Sequence, residues 1–346
     1  MSRLMGRIDT ELRYSNGAPG TVSLASPAPI VWNGAMAARG DDGMRRTLGF
    51  YAAFTISLGA MIGSGIFVLP GLAFSLAGPA AALAYALAGM VVIPAALSQS
   101  EMATAMPESG GTYLYVDRAM GPLMGTIAGF GVWFSLVFKA SFALVGLGAY
   151  LALFADFPAK PFALAMAVVI TVVNLVGARH SGVVQRVLVT LVMATLGFFL
   201  ISGSQHVDTG QLTPFLPEGF GGLLAAAGLV SVSYAGVMKV ASVAEEVKRP
   251  SWTLPRAILM STLLMVVLYP VIMLVIIGNS GGIDLTKSAT PVTDSAGTFL
   301  GSVGVDLIAA VAVLALIGVA NAALLASSRY PLAMARRGLA PAGLQR

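Results

Sequence analysis

The chain has 346 residues, of which 57% are hydrophobic and 10% charged, with a mean hydropathy of +0.86. Such a composition lies far outside that of soluble domains and excludes a water-soluble enzyme. There is no cysteine, and His180 and His206 are the only histidines, so disulfide, thiol and metal-cluster chemistry drop out. The net charge of +5 is spread over short loops instead of forming a nucleic-acid patch.

Residues 1–46 mix prolines and arginines without apolar periodicity and read as a disordered cytoplasmic tail, with Met44 as a second candidate start. From Thr47 to Ser100 no residue is charged. That stretch is too long for one crossing of about 20 residues, and Ala77-Gly78-Pro79 divides it into two helices. Apolar runs follow at 122–155, 161–178, 183–203, 221–244, 256–278 and 304–327, which makes eight spans in a membrane domain over 47–328 and leaves a cytoplasmic segment at 329–346. Lipid offers the backbone no water, so each run must close its own hydrogen bonds as a helix, and the period-2 alternation of a barrel is absent. The fold class is therefore an all-α transmembrane bundle. Arg45, Arg46, Arg118, Arg179, Arg186, Lys248, Arg249, Arg256, Arg329, Arg336, Arg337 and Arg346 fall on one side, against Lys160 and Lys287 on the other. This asymmetry places both termini in the cytoplasm.

The first span carries Gly59-Ala60-Met61-Ile62-Gly63-Ser64-Gly65-Ile66-Phe67 at mid-depth. Each glycine costs a helix about 1 kcal/mol relative to alanine, so the cluster predicts either an unwound segment or, through Gly59 and Gly63, a GxxxG packing face. An unwound segment would have to line a cavity or bind something, and the next half-helix would point its positive end at an anion. The sixth span repeats the pattern at Ser231-Val232-Ser233-Tyr234-Ala235-Gly236, where the alternative is again simple helix packing. Two interrupted helices five spans apart point to an inverted-repeat secondary transporter whose breaks meet at the substrate.

Four segments carry a family resemblance. They are Gly63-Ser64-Gly65-Ile66-Phe67; Glu101-Met102-Ala103 with Met106 to Tyr113 and Gly121-Pro122; Ala244 to Pro250 with Pro255; and Ser328-Arg329 with Met334 to Gly338. From about Thr47 onward the chain resembles the amino acid–polyamine–organocation (APC) superfamily of permeases, which have the five-plus-five inverted-repeat fold of the leucine transporter. The resemblance implies that Gly63, Ser64 and Gly65 form the break that holds a substrate carboxylate. Carbonyls of Met61, Val232, Ser233 and Ala235 would receive the amino group, with Tyr234 and Gly236 as lining and hinge. For Tyr234 the alternative to a gate role is an aromatic packing residue with its hydroxyl tied to a neighbour.

The chain also departs from that pattern. Many relatives have a lysine in the fifth span, where Val192 aligns, and a carboxylate where Met238 stands. Lys139, near the middle of the third span, is the substitute coupling candidate: it is either a proton carrier with a burial-lowered pKa or a structural ammonium capped by backbone carbonyls, Asn174 or Asn321. The family fold needs spans nine and ten, so eight spans imply an incomplete second repeat. The resulting expectation is a permease moving amino acids, neutral or acidic because Lys139 repels cations, across the plasma membrane by alternating access. Either the sequence is a truncated part of a longer chain or a second polypeptide supplies the missing spans; the alternative is a non-transporting membrane fragment or a substrate-binding and sensing subunit. No catalytic arrangement, cofactor or nucleic-acid partner is called for. Proton, sodium and exchange coupling stay open.

Overall fold

The computed structural model describes residues 48–106, 111–154, 158–176, 182–237, 244 and 247–336. The tail, Met238, Glu245, Glu246 and the last ten residues lie outside them, as do the side chains of Asn174, Arg329 and Arg336. The described residues are helical; the one β-type pairing among them is an isolated bridge between Leu48 and Val247. Its hydrogen bond, Lys248 N–H to Leu48 O at 2.8 Å, ties the entry to the first span to the segment that follows the sixth.

The first span is built from three pieces, α1 (Phe50–Met61), α2 (Ser64–Phe67) and α3 (Leu69–Ala77). Gly78, at φ +57°, turns the chain, and α4 (Ala81–Ala105) returns as the second span. Next come α5 (Gly111–Met120), α6 (Pro122–Leu151), α7 (Ala159–Val176) and α8 (Gly182–Ser204). The last three are α9 (Gly219–Tyr234), α10 (Pro250–Gly278) and α11 (Pro291–Arg336). Prolines open α6, α10 and α11, where the first turn needs no N–H partner. The Thr290 and Ser288 hydroxyls both donate to the Asp294 carboxylate, fixing the start of α11.

Five stretches are long and apolar enough to cross a membrane, and α1, the 160–172 part of α7 and α9 are shorter apolar helices. Together they account for the eight apolar runs. The extent of the last helix differs from the sequence reading. Helix α11 starts at Pro291, bends at Gly301 (φ 65°, ψ −165°) and continues to Arg336, so position 328 lies inside a helix. After the second span the short helix α5 buries Tyr113 against Tyr330 and Met334 of α11. In span six, α9 stops at Tyr234, and residues 238–243 of the same run lie outside the described residues.

Helix α4 packs along α10, α6 along α11, and α9 lies against α2, α3 and α4. These pairs join span two to seven, three to eight and one to six. An inverted repeat requires this arrangement, because its pseudo-two-fold axis sets each element beside its counterpart. The outward faces are lipid-like: Met90, Val91, Phe130, Phe134, Phe138 and Val145 are exposed, while the next residue after Phe138 is the buried Lys139. Between α1 and α10, Ser57 Oγ and Ser261 Oγ share a buried 2.6 Å hydrogen bond. A double-mutant cycle with Ser57→Ala and Ser261→Ala, followed by unfolding in detergent, is expected to give a coupling of about 0.6 kcal/mol. A coupling of zero would mean that the bond does not tie the two spans together.

Candidate functional site

Helix α1 closes with Ile62 N–H on Leu58 O at 2.8 Å. Gly63 then takes φ +156°, ψ −119°, a conformation that L side chains avoid, and an added Cβ would collide with Val319 of α11. The first bonded amides of α2 are those of Ile66 and Phe67, both on Gly63 O at 3.0 and 2.9 Å. The amides of Ser64 and Gly65 precede them and so lie outside the intrahelical ladder. A second interruption at Val68 (φ −121°, ψ −49°) separates α2 from α3.

Breaking a helix frees carbonyls, and in this bundle tyrosine hydroxyls receive them. Tyr269 of α10 donates to Met61 O at 2.8 Å, Tyr85 of α4 to Gly65 O at 2.7 Å, and Tyr150 of α6 to Phe67 O at 2.9 Å. All three rings are fully buried. An unmet buried acceptor costs about 1–3 kcal/mol, so these phenols allow the first span to stay open.

The second break meets the first. Helix α9 stops at Tyr234, with Ala235 N–H on Val232 O at 3.2 Å. Gly236 lies so close to α1 that a Cβ there would sit 2.5 Å from Ala60 C and 2.6 Å from Met61 N. Gly65 faces Ser233, whose Cβ and Oγ would each lie 2.7 Å from an added Cβ. Ser233 O accepts from Lys139 Nζ at 3.3 Å and from Tyr269 OH at 3.4 Å. The Ser233 hydroxyl, 1% exposed, has no hydrogen-bond partner. The Tyr234 hydroxyl reaches Tyr85 O at 2.9 Å, and its ring stands edge-on to that of Tyr269 at 4.9 Å between centroids.

Met61, Gly63, Ser64, Gly65, Ser233, Tyr234, Gly236 and Lys139 thus come together, while Val232 and Ala235 lie half-buried in the last turn of α9. Tyr234 ties α9 to α4 through its hydroxyl, the arrangement expected of a packing aromatic with a tied hydroxyl. Lys139 is 3% exposed, and its ammonium lies against the carbonyl end of α9, the negative pole of that helix. Val192 is buried beside Gly59, Ile62, Gly318 and Val319 around a small apolar cavity between α1, α8 and α11. Sequence reasoning missed Tyr85, Tyr150 and Tyr269. The signal was available, since a tyrosine deep in an apolar run needs a partner for its hydroxyl.

A bundle of apolar helices whose first and sixth members are both interrupted, with the interruptions facing each other, is the arrangement of inverted-repeat secondary transporters. Residues 52–346 match the amino acid permease family, and the chain belongs to it. It is 32% identical over 303 residues to an uncharacterized transporter of Mycobacterium tuberculosis, covering 85% of this chain and 67% of that one. It is 29% identical to the branched-chain amino acid permease BcaP of Bacillus subtilis (90% of this chain, 71% of the relative). A third relative is the serine/threonine exchanger SteT of the same organism, 27% identical over 87% of this chain and 70% of its own.

Tyr269→Phe removes the donor shared by Met61 O and Ser233 O. The expected loss of stability is about 1–3 kcal/mol, read as a lower melting temperature of the detergent-purified protein. An unchanged melting temperature would show that the hydroxyl does not hold the break open.

Proposed function

We propose that this permease carries small neutral or acidic amino acids across the plasma membrane by alternating access, with both termini in the cytoplasm. The substrate carboxylate would sit on the Ser64 and Gly65 amides, at the break opened by Gly63. Its ammonium would turn to the carbonyls of Met61, Val232, Ser233 and Ala235, with Tyr234 as lining and Gly236 as hinge. The observation that carries this reading is the contact of Gly65 with Ser233, which brings amides outside any helical ladder to within one side chain of the carbonyl end of α9. A zwitterion needs such an arrangement, with donors for its anion and acceptors for its cation a few ångströms apart.

The relatives narrow the chemistry only to class. One is named for branched-chain amino acids and another for serine and threonine. Among the groups at the site, the buried ammonium of Lys139 favours neutral and acidic substrates over cationic ones, because like charges at close range are costly in a medium of low dielectric. Lys139 is also the coupling candidate, since it is a titratable group that joins α6 to the break in α9.

Uptake of a labelled amino acid panel into proteoliposomes tests both parts. Gly65→Leu drives a side chain into Ser233 and is expected to lower uptake at least about tenfold, equivalent to ~1.4 kcal/mol. Gly65→Ala, the smaller intrusion, should raise KM with less effect on folding. Normal transport by Gly65→Leu would remove the assigned carboxylate site. For coupling, Lys139→Met is expected to flatten the pH dependence of uptake; a profile parallel to that of the parent at every pH would remove the proton-carrier role.

A further inference from the structure

We infer that Lys139 is a tethered stand-in for the substrate's ammonium, which an amino acid must displace and an amine-free carboxylate need not. The inference rests on the reading that the carboxylate lies at Ser64 and Gly65.

The carbonyls suited to an incoming ammonium are already engaged. Ser233 O, at the end of α9, accepts from Lys139 Nζ at 3.3 Å and from Tyr269 OH at 3.4 Å, and the same hydroxyl donates to Met61 O at 2.8 Å. Lys139 projects from α6, a helix that belongs to neither break, so its ammonium reaches the joint as a substrate's would, from the side. Only one ammonium fits a single carbonyl without strong repulsion. An amino acid anchored by its carboxylate on the α2 side of Gly65 would bring its own ammonium to this carbonyl and push Lys139 off. The four-carbon stem of lysine allows that movement without any shift of α6.

Ser233 supplies the second half of the argument. Its hydroxyl is buried beside the Tyr85 phenol and sits where Gly65 approaches, so it can turn to donate to a carboxylate bound there. A 2-hydroxy acid would take this hydroxyl and the two amides, leave Lys139 on Ser233 O, and present its 2-hydroxyl oxygen to the same ammonium as an acceptor. Lys139 thereby sets how far the site discriminates between amino acids and their amine-free counterparts.

Matched pairs read this directly: L-alanine with L-lactate, L-leucine with L-2-hydroxyisocaproate, and L-aspartate with L-malate. Each is titrated against the detergent-purified full chain by thermal-shift binding, with Lys139→Met, Lys139→Arg and Gly65→Leu alongside. In Lys139→Met the ratio of hydroxy-acid Kd to amino-acid Kd is expected to rise at least about tenfold over the parent, because the amine no longer has to displace Lys139 from Ser233 O and the hydroxy acid loses a donor. Lys139→Arg keeps the charge and should stay near the parent ratio. A lysine with a purely structural role would weaken both members of a pair equally, and an unchanged ratio in a Lys139→Met protein that still binds overturns the inference alone. Binding that Gly65→Leu leaves intact overturns the carboxylate site beneath it. Failure of every pair to bind the parent overturns both.

Discussion

The architecture depends on one constraint: inside lipid, a backbone carbonyl released from a helix must find a donor within the protein. The break at Ile62–Gly63 exists because Tyr269, Tyr85 and Tyr150, each from a different helix, place hydroxyls on Met61 O, Gly65 O and Phe67 O. Ser233 O, at the end of α9, is met in the same way by Lys139 and Tyr269. Tyr269 serves both interruptions, so it couples them: any motion that separates the first span from the sixth must strain or break one of its two bonds.

The packing follows from the same economy of donors and space. Small residues let the interrupted spans approach until Gly236 touches the backbone of Ala60 and Met61, while Gly65 faces Ser233. Spans two and seven, and three and eight, then lie against each other as a pseudo-two-fold demands. The residues that complete the joint, Tyr85 and Tyr269, sit on counterpart helices of the two halves and contact each other at 5.4 Å between ring centroids. Membership of the amino acid permease family accords with this geometry, but relatives at 27–29% identity are named for different amino acids.

The helical class, the division of 47–100 into two helices and the clustering of glycine and serine in spans one and six were all legible from local pattern. Charge-free runs, turn residues and glycine content act over a few residues and need no knowledge of partners. Other features were not legible. That α11 bends at Gly301 and runs to Arg336, or that α5 tucks Tyr113 under Tyr330 and Met334, depends on contacts between distant segments. The tyrosine donors were visible as polar residues out of place, yet nothing local says which carbonyl each would reach.

Two apolar stretches that can each bend open at mid-depth are a property of the sequence, because glycine weakens a helix wherever it stands. Whether a GxxxG-type cluster becomes a packed seam or an opened break depends on the donors that surround it. Tertiary structure alone brought Tyr85, Tyr150 and Tyr269 to those carbonyls and laid the Lys139 ammonium on Ser233 O, across 94 residues of chain. A hydrogen bond requires placement to within a fraction of an ångström, and only the packing of whole helices supplies that precision.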